Sequence, residues 1–187
     1  DLGVALRGAD LILIAVITNG LREMLRRIRA AGSSAPLVWL CKGFESRQAR
    51  LPHQVCAEEL APGVPRAVLS GPSFAEEVAR GLPAALTLAS TDGGFAREAA
   101  RILHGATLRI YPSEDVIGVE AAGAVKNVMA IAAGVSDVLE LGLSSRAARI
   151  TAPNFFASKS FVAASAASAS FFSTSAGDRI ASLESAA

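Results

Sequence analysis

The sequence has little of several residue types, and each shortage excludes a class of function. It holds two cysteines, Cys41 and Cys56, which are too few for a disulfide framework and fit reduced, buried thiols in the cytoplasm. Its two histidines, His53 and His104, lack the spacing of metal ligands, so no metal site is predicted. A net charge of +1 offers no electrostatic attraction for nucleic acid or an anionic membrane. We therefore expect neither of these as a partner.

Long hydrophobic runs are also missing from the start of the chain. The longest early run, residues 11–17, is too short to span a bilayer. No basic segment followed by an apolar one opens the chain, as it would in a signal peptide. The chain begins at Asp1, in a segment that has the pattern of the end of a helix. We therefore expect a fragment of a longer protein.

What the chain does contain is an alternation of apolar, β-prone segments and amphipathic helices. This alternation predicts an α/β fold with a Rossmann-like parallel sheet, followed by the start of an all-α domain. Ligands of such sheets bind outside the carboxyl ends of the strands. The predicted strands are residues 11–17, 37–41, 67–70, 84–89 and 107–111.

The helix after the first predicted strand carries a run of arginines. We interpret this run as a solvated helix face rather than a binding patch, because the opposite face is apolar. The outward residues are Arg22, Arg26, Arg27 and Arg29, and the inward residues are Leu21, Met24, Leu25 and Ile28.

The composition divides the chain into three parts. The alternation of strands and helices covers residues 1–114 and stops there. Residues 115–151 begin with a long helical segment and are predicted to start a second, helical domain. Residues 152–187 are rich in Ala, Ser and Phe without a clean period, which is typical of a disordered tail.

One lysine, Lys126, lies in the middle of the small and apolar segment 118–137. On a helix, Gly123 and Ala130 share its face, so another surface or a ligand can come close to its ammonium group. We predict that removal from water lowers the pKa of this lysine toward that of a general base. The alternative is an ordinary solvated lysine whose stem lies along apolar surface.

Three further motifs precede this segment: Lys42-Gly43 after the second strand, Ser70–Ala75 after the third, and Gly81–Pro83. The first two lie at the carboxyl edge of the predicted sheet, where a ligand would bind. The simpler interpretations are a surface lysine at a turn for Lys42, and a helix cap for Ser73, which has capping-box spacing to Glu76.

In this order and spacing, the motifs and the segment Gly123–Val128 resemble the bacterial NAD(P)-dependent glycerol-3-phosphate dehydrogenases. The resemblance runs from the start of the chain to about Thr151. It implies a cytoplasmic oxidoreductase that interconverts sn-glycerol 3-phosphate and dihydroxyacetone phosphate for glycerophospholipid synthesis. It also makes residues 1–114 part of an NAD(P)-binding domain and residues 115–151 the start of the substrate domain. The family's glycine-rich dinucleotide fingerprint is expected upstream of Asp1.

The same resemblance implies roles for individual residues. Lys126 would accept the proton of the C2 hydroxyl of the substrate, and Lys42 would contact both the substrate and the NAD(P) cofactor. The remaining expected contacts are Gly71, Ser73 and Asn127 with the substrate, and Ala75 with the cofactor.

Two alternatives remain open. A related two-domain dehydrogenase with a different substrate would share the architecture, and an inactive remnant would act at most as an interaction module. Because it lacks the fingerprint, the chain by itself is expected to have little or no activity. The sequence leaves open the choice between NADH and NADPH, and whether the protein forms a homodimer.

Overall fold

The computed structural model describes residues 1–139, except for the side chains of residues 136 and 137. The predicted tail, residues 152–187, therefore lies outside the described residues. Helices and strands alternate through the described part of the chain, as expected. The strands are β1 (Ile12–Ile14), β2 (Leu37–Trp39), β3 (Arg66–Ser70), β4 (Ala84–Ala89) and β5 (Leu108–Ser113). The helices are α1 (Leu2–Leu6), α2 (Thr18–Ala30), α3 (Pro52–Glu59), α4 (Ala75–Ala79), α5 (Gly93–Leu103) and α6 (Val116–Val138).

The strands form one mixed sheet in the order β1-β2-β3-β4-β5. Strands β1, β2 and β3 are parallel, and so are β4 and β5, but β3 and β4 are antiparallel. The α/β, Rossmann-like fold is confirmed, whereas a wholly parallel sheet is wrong. The reason is that α4, which lies between β3 and β4, has only five residues and none of them is buried. It does not cross a face of the sheet, so the chain turns back beside β3.

Side chains pack against both faces of the sheet, because alternate residues of a strand point to opposite faces. On one face, Trp39 and Val68 pack with α2, α3 and the start of α6. On the other face, Val38 and Leu69 pack with the alanines of α5. The inward residues predicted for α2 are confirmed: Leu21, Leu25 and Ile28 are buried, and the partly buried Met24 packs against them.

The reversal at β4 determines where α6 begins. Because β4 and β5 run opposite to the first three strands, β5 ends at the edge of the sheet where β2 and β3 begin. From there α6 runs back across the sheet. Val116 and Val119 pack in the core with Trp39 and Val68, and Gly123 reaches Ser70 at the carboxyl end of β3. The helix therefore delivers its middle turns to the edge where β1, β2 and β3 end.

The segment Val116–Val135 of α6 is long and apolar enough to cross a membrane by length and composition alone. The core helix of a soluble protein passes the same test. Val116, Val119 and Ala122 are buried against the sheet, so packing accounts for the apolar character of the first half of this helix.

Arg22 of α2 lies in a partly buried ion-pair network, so its assignment to a solvated face is wrong, whereas Arg26, Arg27 and Arg29 are exposed as predicted. Arg22 donates to both carboxylate oxygens of Glu45, at 2.7 and 2.9 Å, and to Glu59 at 2.7 Å. Arg26 donates to the same Glu59 at 2.9 Å. Both glutamates are buried, and they are distant from α2 in sequence, so a helix pattern could not reveal them. The network joins α2 to α3 and to the loop after β2.

Substitution of Glu59 by glutamine tests this network. Hydrogen bonds from Arg26 and Arg22 lower the pKa of Glu59 in the folded protein. The ionised Glu59 therefore contributes its full stabilisation at a pH above the pKa it has in the unfolded chain. This contribution is lost as the pH falls through the lower pKa it has in the folded protein. We expect Glu59→Gln to reduce the free energy of unfolding by about 1–3 kcal/mol at neutral pH. The difference from wild type should shrink below about pH 4 in thermal denaturation.

Glu98→Gln is the matched control, because it breaks an exposed pair with Arg101. We expect it to cost less than about 1 kcal/mol. Equal losses from the two variants, or a loss from Glu59→Gln that is the same at every pH, would contradict the assignment.

Candidate active site

A cavity of about 920 Å³ opens at the edge where β1, β2 and β3 end. Its volume lies within the range of small-molecule sites. Most of its wall is apolar and includes Leu13, Val16, Ile17, Leu40 and Phe44. The predicted site residues that line it are Lys42, Ser73, Ala75, Lys126 and Asn127.

Lys42 follows β2 and is held at both ends. The Thr18 hydroxyl donates to the Lys42 carbonyl at 2.7 Å, and the Lys42 ammonium donates to the Gly71 carbonyl at 2.8 Å. Burial, together with repulsion from the Lys126 ammonium, lowers the pKa of Lys42. Both lysines line the same cavity.

Gly71 follows β3 and acts through its backbone. A Cβ atom at this position would lie 2.8 Å from the Ala85 carbonyl oxygen and 2.9 Å from the Leu86 side chain. The close approach of β4 thus requires glycine and fixes the carbonyl that Lys42 contacts. The structure places Gly71 behind Lys42, as its hydrogen-bond acceptor.

Gly123 allows α6 to pass close to the ends of β2 and β3. A Cβ atom here would lie 2.9 Å from the Ser70 hydroxyl oxygen and 3.5 Å from Cγ of Lys42. Because the helix comes so near, the next turn carries Lys126 and Asn127 into the wall of the cavity.

The removal of Lys126 from water that the sequence analysis expects is not observed within residues 1–139. Lys126 and Asn127 are both exposed. The physical reason is that α6 extends past the edge of the sheet after Gly123, so that within the described residues only one side of Lys126 faces protein. Lys42, which lines the same cavity, is the more buried of the two lysines.

Ser73 and Ala75 reach the cavity from the segment after β3. The predicted capping box of Ser73 and Glu76 is wrong, because α4 begins at Ala75 with Phe74 as its cap residue and has no side-chain cap. The helix starts too late for Ser73 to cap it, and Ser73 lines the cavity instead.

Sequence reasoning missed a buried network beside the cavity. Glu120 of α6 is 4% exposed. It accepts hydrogen bonds from the Trp39 indole and the His53 backbone amide, and it contacts Nδ1 of the His53 ring. A lone acidic residue in an otherwise apolar helix is the signal that could have found it, since such a group must be paired when buried.

Comparison with known proteins supplies the family. Residues 1–96 match the family described as NAD-dependent glycerol-3-phosphate dehydrogenase N-terminus. The chain belongs to the NAD-dependent glycerol-3-phosphate dehydrogenase family. Residues 115–186 match the C-terminus of the same family, which continues past Thr151, where the sequence analysis ends the resemblance.

Relatives and solved structures agree with this family. Glycerol-3-phosphate dehydrogenase (NAD(P)+) of Nitrosospira multiformis is 59% identical over 147 residues, which are 79% of this chain and 44% of that protein. The protein of the same name from Dechloromonas aromatica is 55% identical over 151 residues, 81% of this chain and 46% of that protein. The chain thus spans a little under half the length of these curated relatives.

The crystal structure of glycerol-3-phosphate dehydrogenase from Coxiella burnetii superposes with a TM-score of 0.68 at 44% identity. The match covers 82% of this chain and 47% of that one. The Plasmodium falciparum glycerol-3-phosphate dehydrogenase gives a TM-score of 0.71 at 26% identity, covering 83% of this chain and 44% of that one.

Removal of the Lys126 charge tests the proximity of the two amines. In Lys126→Met we expect the pKa of Lys42 to rise, because one of the two influences that lower it is gone. Lysine-selective isotope labelling and an NMR titration would measure the shift. Arg7→Met, which removes an exposed charge near α1, should leave the Lys42 titration unchanged. An unchanged or lower Lys42 pKa in Lys126→Met would show that the amines do not interact.

Because α6 passes close to the sheet at one glycine and not at the other, we expect the same Gly→Ala substitution to have opposite effects on stability at the two positions. Gly123→Ala should destabilise the protein by about 1–3 kcal/mol, because a methyl group overpacks the contact with Ser70 and Lys42. Gly134→Ala is the control, since a Cβ atom there meets nothing within 4 Å in the described chain. We expect it to stabilise the helix by about 0.5–1 kcal/mol. Denaturant unfolding of both variants would decide, and a harmless Gly123→Ala would contradict the close packing.

Proposed function

We propose that the full-length protein interconverts sn-glycerol 3-phosphate and dihydroxyacetone phosphate with NAD(P), and that it does so in the cytoplasm. The observation that supports this most directly is the convergence of Lys42 and Lys126 on one cavity at the carboxyl edge of the sheet. Two ammonium groups in a mostly apolar cavity suit a small substrate that carries a phosphate and a carbonyl.

The same cavity fits the reactive end of a nicotinamide cofactor. Its apolar wall, formed by Leu13 of β1 and by residues that follow β1 and β2, suits a flat ring. Ala75 and Lys42 also line the cavity and would hold the cofactor against the substrate. When bound, the cofactor supplies the acceptor or donor of a hydride at C2 of the substrate.

In the oxidation of glycerol 3-phosphate, the neutral amine of Lys126 accepts the proton of the C2 hydroxyl as the hydride leaves C2. In the reverse direction, the Lys126 ammonium returns this proton to the oxygen formed from the carbonyl. Repulsion between the two ammonium groups makes loss of a proton from the pair easier. Lys42, held by the Gly71 carbonyl, keeps a positive charge or a hydrogen-bond donor beside the reacting oxygen.

Ser73 and Asn127 complete the substrate contacts in this proposal. Ser73 lines the cavity from the segment after β3, and Asn127 lies next to Lys126 on α6. A hydroxyl and an amide can each donate to phosphate or hydroxyl oxygens. Their positions on two different elements would hold the substrate across the gap between the sheet and α6.

The test is a kinetic assay of the full-length protein encoded by the gene. We expect reduction of dihydroxyacetone phosphate by NADH or NADPH, at a kcat of about 1–10³ s⁻¹. Lys126→Ala should lower kcat by about 10²- to 10⁴-fold. Lys126→Arg is the matched control, because arginine keeps the charge but does not release its proton. It should retain substrate binding while kcat stays low.

Two outcomes would overturn the proposal. Absence of turnover with either cofactor in a folded full-length protein would favour an interaction-only role. A panel of other phosphorylated and hydroxyacyl substrates that react faster than dihydroxyacetone phosphate would instead indicate a related dehydrogenase of different specificity.

A further inference from the structure

Glu120 is a buried acidic residue that the reaction proposed above does not use. It is 4% exposed and lies between apolar residues on α6. Its Oε1 atom accepts from the Trp39 indole nitrogen and from the His53 backbone amide, both at 2.9 Å. Its Oε2 atom contacts Nδ1 of the His53 ring. Burial raises the pKa of Glu120, and the bonds from His53 and Trp39 oppose this effect. All of its hydrogen-bond contacts in the described chain are thus directed at two residues.

These contacts join the two segments that carry the paired lysines. Trp39 lies on β2, three residues before Lys42, and Glu120 lies on α6, six residues before Lys126. His53 belongs to α3, which packs beside α6. The Glu120 carboxylate therefore links three elements: β2, which leads to Lys42, α6, which carries Lys126, and α3, which packs beside α6.

Apolar packing alone does not fix this arrangement. Val119 and Ala122 are buried against the sheet, and such contacts set how closely a helix lies but are not directional. Hydrogen bonds do have a preferred direction. Three of them on one carboxylate resist both rotation and sliding of α6. Since Lys126 lies about 9 Å further along the helix axis, a small rotation at Glu120 moves the amine in the cavity.

We propose that Glu120 is a positioning residue, which sets the place of Lys126 relative to Lys42 by binding Trp39 and His53. The kinetic part of this inference rests on the function proposed above. A displacement of about 1 Å at a reacting group can reduce a rate about 100-fold. Loss of the Glu120 bonds should therefore reduce kcat more than it weakens substrate binding, because the substrate contacts of Ser73 and Lys42 stay on the sheet side of the cavity.

The experiment compares three variants of the full-length protein. In Glu120→Ala we expect kcat to fall at least about tenfold while KM changes less than about threefold. Glu120→Gln keeps the shape and can still accept from Trp39 and the His53 amide, so it should recover most of kcat. Glu98→Ala, which removes an exposed glutamate of α5, is the control and should match wild type.

An NMR titration of Lys42 gives a second readout that does not depend on activity. If Glu120 holds the amines together, the pKa of Lys42 should rise in Glu120→Ala, in the same direction as in Lys126→Met. The other titratable groups near Glu120 in the described chain are His53, Cys41 and Cys56. Because His53→Asn removes the ring that contacts Glu120, it should raise the pKa of Lys42 by part of the same shift. If Glu120→Ala does not fold, Trp39→Phe takes its place in both measurements, because it removes one hydrogen-bond donor and leaves the Glu120 carboxylate intact.

The outcomes are distinct. A Glu120→Ala protein that melts at a lower temperature but keeps the wild-type kcat and the wild-type Lys42 titration would reduce Glu120 to a structural role and overturn the inference. A wild-type protein that fails to reduce dihydroxyacetone phosphate would overturn the proposed function instead. In that case the Lys42 titration still decides whether Glu120 positions the lysine pair.

Discussion

The close passage of α6 over the end of the sheet is the constraint on which the site depends. Gly123 leaves no room for a side chain between the helix, Ser70 and the stem of Lys42. The passage is possible because β4 and β5 run opposite to the first three strands, so that α6 starts at the far edge and crosses the core. Chain reversal, an apolar helix face and one glycine together bring residues from two regions of the sequence to one cavity.

The electrostatics of the cavity follow from this geometry. Lys42 is half-buried and tied to a backbone carbonyl, whereas Lys126 stands on the exposed part of the helix. Burial therefore lowers the pKa of Lys42, and the positive charge of Lys126 lowers it further. On the far side of α6, the buried Glu120 carboxylate is bound by donors from β2 and α3. The helix is thus held from the core while its lysine lines the cavity.

Much of the fold and most of the candidate site could be predicted from the sequence. Continuous apolar segments indicated the strands, and the lysine within small residues indicated the helix that completes the site. The antiparallel β4 could not be predicted, because its apolar pattern is that of any buried strand and the short α4 gave no sign that it fails to cross the sheet. The partners of Arg22 were also hidden, since Glu45 and Glu59 are brought to it only by tertiary packing. The exposure of Lys126 depends on where α6 leaves the sheet, which composition does not encode.

The central claim is that Lys42 and Lys126 face the same substrate. A crystal structure of the full-length protein with NADP and glycerol 3-phosphate would test it most directly. The account predicts that the C2 oxygen lies within hydrogen-bond distance of the Lys126 nitrogen, about 2.6–3.2 Å, with Lys42 on the same ligand. A substrate bound outside the cavity, or one that contacts neither amine, would contradict it.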